Sequence, residues 1–149
     1  MTPATQKKLE QLETLQQAAG IFIVEIEEFY LLNNKIRQDI APDFIPTDTP
    51  LTIRRLRSKY DQMLKKVKDS LEAAKGGYLL HIIATADIFH SLQSIGGFLP
   101  AMEGDLDALK EYLFEPEQAR PMEDVLEYAR GAYQDLLAAL APFQGRSRG

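Results

Sequence analysis

From Leu12 to Ile40 the chain repeats a side chain of one kind at alternating steps of three and four. The positions are Leu12, Leu15, Ala19, Phe22, Ile26, Phe29, Asn33, Ile36 and Ile40. An α-helix brings residues so spaced to one side, and an unbroken run of this length is the pattern of a helix packed lengthwise on a neighbour. The spacing therefore predicts a first helix over about residues 5–40. Gly20 falls inside it and weakens it locally. Asn33 is the one polar residue on the seam, where such a side chain costs stability and can fix register or oligomeric state.

The same periodicity continues, and no strand-like alternation persists. "APDFIPTDTP" (41–50), with three prolines and two aspartates, reads as a loop. Thr49 before Pro50 has the form of an N-cap followed by proline at the first helical position. A second helix then runs over about 50–75 on the seam Ile53, Leu56, Tyr60, Met63, Val67, Ser70 and Ala74, and Gly76 and Gly77 stop it. Over about 78–95, Tyr78, Leu79, Leu80, Ile82, Ile83, Ile88, Phe89 and Leu92 point in nearly every direction, which suits a helix in the middle of a bundle. Gly96 and Gly97 end it. A short helix is expected over about 105–114 with Asp105 as N-cap, then a proline-marked loop, "FEPEQARP". The last helix, about 121–141, has the seam Met122, Val125, Ala129, Ala132, Leu136 and Ala139, whose alanines admit a close neighbour. The sequence thus predicts an all-α fold: one helical bundle of four main helices and a short one. The 149 residues form a single domain, with 144–149 a flexible tail.

Composition removes several chemistries. With no cysteine there is no disulfide, thiolate nucleophile or cysteine zinc site. No apolar run approaches a membrane span, and "MTPATQKKLEQLE" lacks the basic-then-apolar form of a signal peptide, so a cytoplasmic protein is the expectation. The net charge of −5 conceals a basic middle: residues 51–80 carry 8 basic and 3 acidic side chains, between acidic flanks.

Four groups of residues bear on chemistry. "HSLQS", starting at His90, resembles the histidine motif of histidine phosphotransfer domains, which are helical bundles of similar size. Where that motif has lysine and glycine, this chain has Gln93 and Ser94. His81 and His90 lie nine residues apart on opposite sides of one helix and cannot share an ion there. Glu25 and Glu28 stand at i, i+3, as do acids that hold magnesium in helical nucleotide pyrophosphohydrolases. The only other dense acidic cluster, "MEGDLD" (102–107), reads as a loop and a helix start, where the helix dipole accounts for the acids. In "IRRLRSKYDQMLKKVK" (53–68), Arg57–Asp61, Asp61–Lys65, Lys65–Asp69 and Lys68–Glu72 fall at i, i+4. Arg55, Lys59 and Lys66 are left without an acidic helical neighbour, on an edge suited to phosphates or an acidic protein surface.

On the side of the first helix away from the seam stand Val24 and Leu31, with Ile21 nearby and Glu28 between them. Three apolar residues within three turns form a patch. The expected function is a non-enzymatic interaction or assembly subunit, acting as a homo-oligomer or on a protein partner through Ile21, Val24, Leu31 and Asn33. It implies no catalytic residue, cofactor, metal, small-molecule substrate or membrane. Two alternatives stand behind it: a small nucleoprotein subunit contacting phosphates through 53–68, and a phosphotransfer-like signalling bundle using His90.

Overall fold

The long seam forms one helix. The computed structural model describes residues 3–73 and 87–144, all of it helix, turn and loop with no strand among the described residues. Helix α1 is Pro3–Ile40, α2 is Thr49–Ala73, α3 covers residues 87–94, α4 is Phe98–Lys110 and α5 is Arg120–Leu140. Helix α1, 38 residues and about 57 Å long, is the spine. Helix α2 runs antiparallel to it, because Glu27 meets Arg54, Gln16 meets Asp61 and Glu13 meets Lys68. So does α5, whose Tyr133 ring lies 5.1 Å from Phe22. Helix α4 runs parallel to α1, with Asp105 beside Tyr30 and Tyr112, just past its end, beside Arg37.

The core is apolar and follows the expected seams of α1 and α5, whereas α2 buries Leu64, which lies off its expected seam, leaves Leu56, Met63 and Val67 partly buried and exposes Ser70. Leu12, Leu15, Phe22, Ile26 and Phe29 of α1 are buried with Ile53 and Leu64 of α2, Leu92 of α3, Met102 and Leu109 of α4, and Met122, Ala129 and Leu136 of α5. Every seam residue expected of α5 is buried. In α3, Ile88, Phe89 and Leu92 are buried but Asp87, His90, Gln93 and Ser94 are exposed, so this stretch is one-sided rather than apolar all round. Tyr78 to Ile83, His81 and the Gly76–Gly77 stop lie outside the described residues, as does the tail beyond Gln144.

The helix ends depart from expectation in two places. Thr52 N–H donates to Asp48 O, so α2 begins one residue early: Asp48 is the N-cap position and Pro50 the second helical residue. The larger difference is α4. The sequence predicts a helix over 105–114, yet α4 occupies Phe98–Lys110 and Asp105 lies well inside it. Pro100 sits in its first turn, where a missing N–H leaves no helical bond unmade. Gly96 and Gly97 do not end α3 in a loop; Ile95–Gly97 tightens into a 3₁₀ turn that leads straight into α4. Gly96 suits the place because Tyr133 lies against it: a Cβ would collide with the phenol end of the tyrosine, whose hydroxyl donates to Gln93 O at 2.7 Å.

One buried amide and a phenol fix joints between elements, and a second buried amide is satisfied within α1. Asn34 holds the loop after α1, donating to Thr47 O at 3.0 Å while its Oδ1 accepts from Thr47 N at 3.1 Å. Asn33 Oδ1 accepts from Arg37 Nε at 3.1 Å. Tyr30 donates to Asp105 Oδ2 at 2.7 Å, and burial first, then the Asp105 carboxylate, pushes the phenol well above its ordinary range.

Gly20 and Gly96 should respond oppositely to alanine. A Cβ at Gly20 meets nothing within 4 Å, so Gly20→Ala should stabilise by about 0.5–1 kcal/mol through helix propensity. Gly96→Ala forces Tyr133 aside and should cost about 1–3 kcal/mol. Denaturant melts of the two variants check both signs. Tyr30 generates a second prediction. A tyrosine raised in the folded state adds stability that is complete below the unfolded value of about 10 and is lost as pH rises above it. Stability should therefore fall above pH ~10, and Tyr30→Phe should flatten that decline while costing about 1 kcal/mol at neutral pH. Melting temperatures from pH 7 to 11 show whether it does.

Candidate functional site

Helix α1 is covered by α2 on one flank and by α5 on another, which leaves a single exposed stripe. It comprises Glu10, Thr14, Gln17, Ile21, Val24, Glu28, Leu31, Lys35 and Gln38, at alternating steps of four and three. This is a second seam on the same helix, turned outward. Its ends are polar and its middle is apolar: Ile21, Val24 and Leu31 are 57 %, 38 % and 42 % exposed. An open groove of about 460 Å³ runs beside it, lined by Gln16, Gln17, Gly20, Ile21, Val24, Glu25 and Arg57. The open space in front of Gly20 is part of this groove. Partial burial, and secondarily Glu28, raise the Glu25 carboxyl above its ordinary value.

Asn33 does not join this face. It is buried at 8 % exposure on the inward seam, and its bond to Arg37 serves the fold. The expected grouping of Asn33 with Ile21, Val24 and Leu31 is corrected accordingly, since a seam facing the core cannot also face a partner.

The polar wall of the α1–α2 joint takes up charges that the sequence assigned elsewhere. Glu27, nearly buried, accepts two N–H bonds from Arg54 at 2.9 and 2.7 Å. Asp61 accepts from Gln16 at 2.8 Å and Lys68 approaches Glu13 at 3.8 Å. Of the four i, i+4 pairs expected within α2, only Lys65–Asp69 forms, at 3.0 Å. Arg54, Asp61 and Lys68 recur every seven residues, so all three face α1. Arg55, Lys59 and Lys66 are exposed and enter no ion pair among the described residues.

The remaining candidates are dispersed. His90 is exposed, and its backbone carbonyl accepts from Ser94 Oγ at 2.9 Å. The acids of "MEGDLD" do not sit at a helix start: Glu103 pairs with Arg130 at 2.8 Å and Asp105 accepts from Tyr30, so these two are held by α5 and α1. Among the described residues no three His, Asp or Glu side chains are grouped as a metal would need, and no helix is long and apolar enough to cross a membrane. Two exposed aromatics beyond α4 escaped sequence analysis, Tyr112 (66 %) under Arg37 and Phe114 (99 %). The only signal was their place before a proline-marked loop.

No known family model, curated protein or solved structure matches this chain.

The two sets of α2 cations should separate cleanly by mutation. Reversing Arg55, Lys59 and Lys66 together to Glu should leave helicity intact and stability within about 1 kcal/mol, as for other surface changes. Arg54→Ala strips a nearly buried carboxylate of its partner. It should cost about 1–2 kcal/mol, below the range for a fully buried pair because Arg54 itself is well exposed. Circular dichroism melts of both proteins make the comparison.

Proposed function

We propose that this chain is a non-enzymatic interaction or assembly subunit that acts through the outward stripe of α1. One observation carries the proposal: Ile21, Val24 and Leu31 stand exposed at heptad spacing, beside an open groove, on the helix most firmly held by the rest of the fold. A single exposed apolar residue needs no explanation, whereas a periodic set does. Fully burying such a side chain is worth about 1.5–3 kcal/mol. These are already half covered, so three of them facing a similar set contribute roughly 6 kcal/mol. Association costs about 4–15 kcal/mol, so the contact is reversible unless its polar rim adds to it.

A second function draws on a different observation, that Arg55, Lys59 and Lys66 are exposed and enter no ion pair among the described residues. Three phosphates neutralised there would support a nucleoprotein subunit. Binding to RNA or DNA would then weaken with salt, and reversing all three residues to Glu would make the salt slope shallower by about 3. Absence of binding by the wild type at low salt removes this function.

The α1 stripe is tested with Val24→Lys combined with Leu31→Lys. Mass is measured by sedimentation of the purified protein and by gel filtration in an extract of its native cell. An interface predicts a cooperatively folded variant of smaller mass than wild type in at least one setting. Loss of cooperative unfolding would show that these residues belong to the core. A folded variant of unchanged mass in both settings would reduce the stripe to plain surface.

A further inference from the structure

We propose that the occupant of the α1 stripe is a second copy of this chain, packed antiparallel about a two-fold axis that passes between Ile21 and Val24. The inference rests on the stripe being an interface, and adds to it the partner and the register. A two-fold contact must complement itself, so that if one residue meets another, the second also meets the first. The register that sets Ile21 against Val24 satisfies this at every step from Glu10 to Lys35. Around the axis, Ile21 and Val24 from both copies form a four-residue apolar centre. One step outward Gln17 faces Glu28, an amide donor against a carboxylate. Next Thr14 faces Leu31 through its methyl group. At the ends Glu10 faces Lys35, an opposite-charge pair made twice. Neither Glu10 nor Lys35 has an ion pair in its own chain among the described residues, and both are exposed. Sliding the partner by one heptad destroys the match: one way Val24 faces Glu28, the other way Glu10 faces Glu28.

Gly20 supports the same axis. It lies one turn before Val24, beside the point where the two helices are closest, and the space before it is open. Among the described residues nothing requires glycine there, whereas a backbone approaching across the two-fold does. The pairs extend from residue 10 to residue 35, most of the length of α1, so the contact lies along the helix rather than at a crossing point.

The test combines charge exchange with one distance. Wild type is expected to sediment as a dimer at tens of micromolar protein. Glu10→Lys alone, and Lys35→Glu alone, should each raise the dissociation constant roughly tenfold by placing like charges opposite each other twice. The double variant should return it to the wild-type value. Because the chain has no cysteine, Gln38→Cys carries one spin label. The antiparallel register places the two labelled positions about 46 Å apart, and parallel helices place them about 10 Å apart. A dimer that Val24→Lys with Leu31→Lys dissociates, but that shows no rescue by charge exchange or a short label separation, overturns the register and spares the interface. A purified wild type that is monomeric at every concentration overturns the second copy, and the mass comparison in cell extract then judges the interface separately.

Discussion

A helix of 38 residues is not stable in water by virtue of its own backbone bonds. What holds α1 in place is burial of its inward seam, where Phe22, Ile26 and Phe29 are fully buried and α2 and α5 are the main neighbours. Helices α2 and α5 take their positions from that seam. Helix α5 can approach closely because it offers Ala129 and Ala132, and Tyr133 then reaches over Phe22 to Gln93 and excludes any side chain at position 96. Helix α4 is set alongside through Tyr30 and Asp105. Removing the α1 seam would strip α2 and α5 of their main packing surface.

Polar groups at the edges of the seam set direction and register rather than supply most of the stability. Apolar area alone would allow α2 to slide along α1 by a turn. The contacts of Arg54, Asp61 and Lys68 with Glu27, Gln16 and Glu13 would each break if it did, and Glu27 is too buried to lose its partner without penalty. Asn34 plays the same part for the 41–48 loop, because both ends of its amide are used by Thr47. No buried side-chain nitrogen or oxygen among the described residues is left without a partner, which is the condition for such groups to specify a fold rather than weaken it.

The all-α fold and the extents of α1 and α5 were legible because they rest on periodicity within one stretch of chain. The start of α4 was not, because Pro100 and the glycine pair are breakers only by composition. Proline in a first turn and glycine under a tyrosine ring are compatible with helix, and the ring comes from a residue far away in sequence. Three of the four expected ion pairs failed for the same reason. From sequence Asp61 has only Arg57 and Lys65 within reach, and its actual partner, Gln16, is visible only once α2 lies on α1. The exposed face of Ile21, Val24 and Leu31 could be placed by the helical wheel, but Asn33 was grouped with it by chemistry and not by angle, and its burial separates them.

An exposed apolar patch is informative in proportion to how firmly it is held. Phe114 is more exposed than Ile21, Val24 or Leu31, yet it lies in a short connection between helices, and ordering it against a partner would cost conformational freedom. Ile21, Val24 and Leu31 have already lost that freedom, because the seam behind them fixes α1 and the wall of Arg54, Asp61 and Lys68 fixes α2 beside it. A partner helix meeting the stripe needs little further ordering of this chain, so most of the apolar area it covers counts toward association. The inward seam thus does two things at once: it assembles the bundle, and it presents the opposite side of the same helix as a rigid, evenly spaced surface.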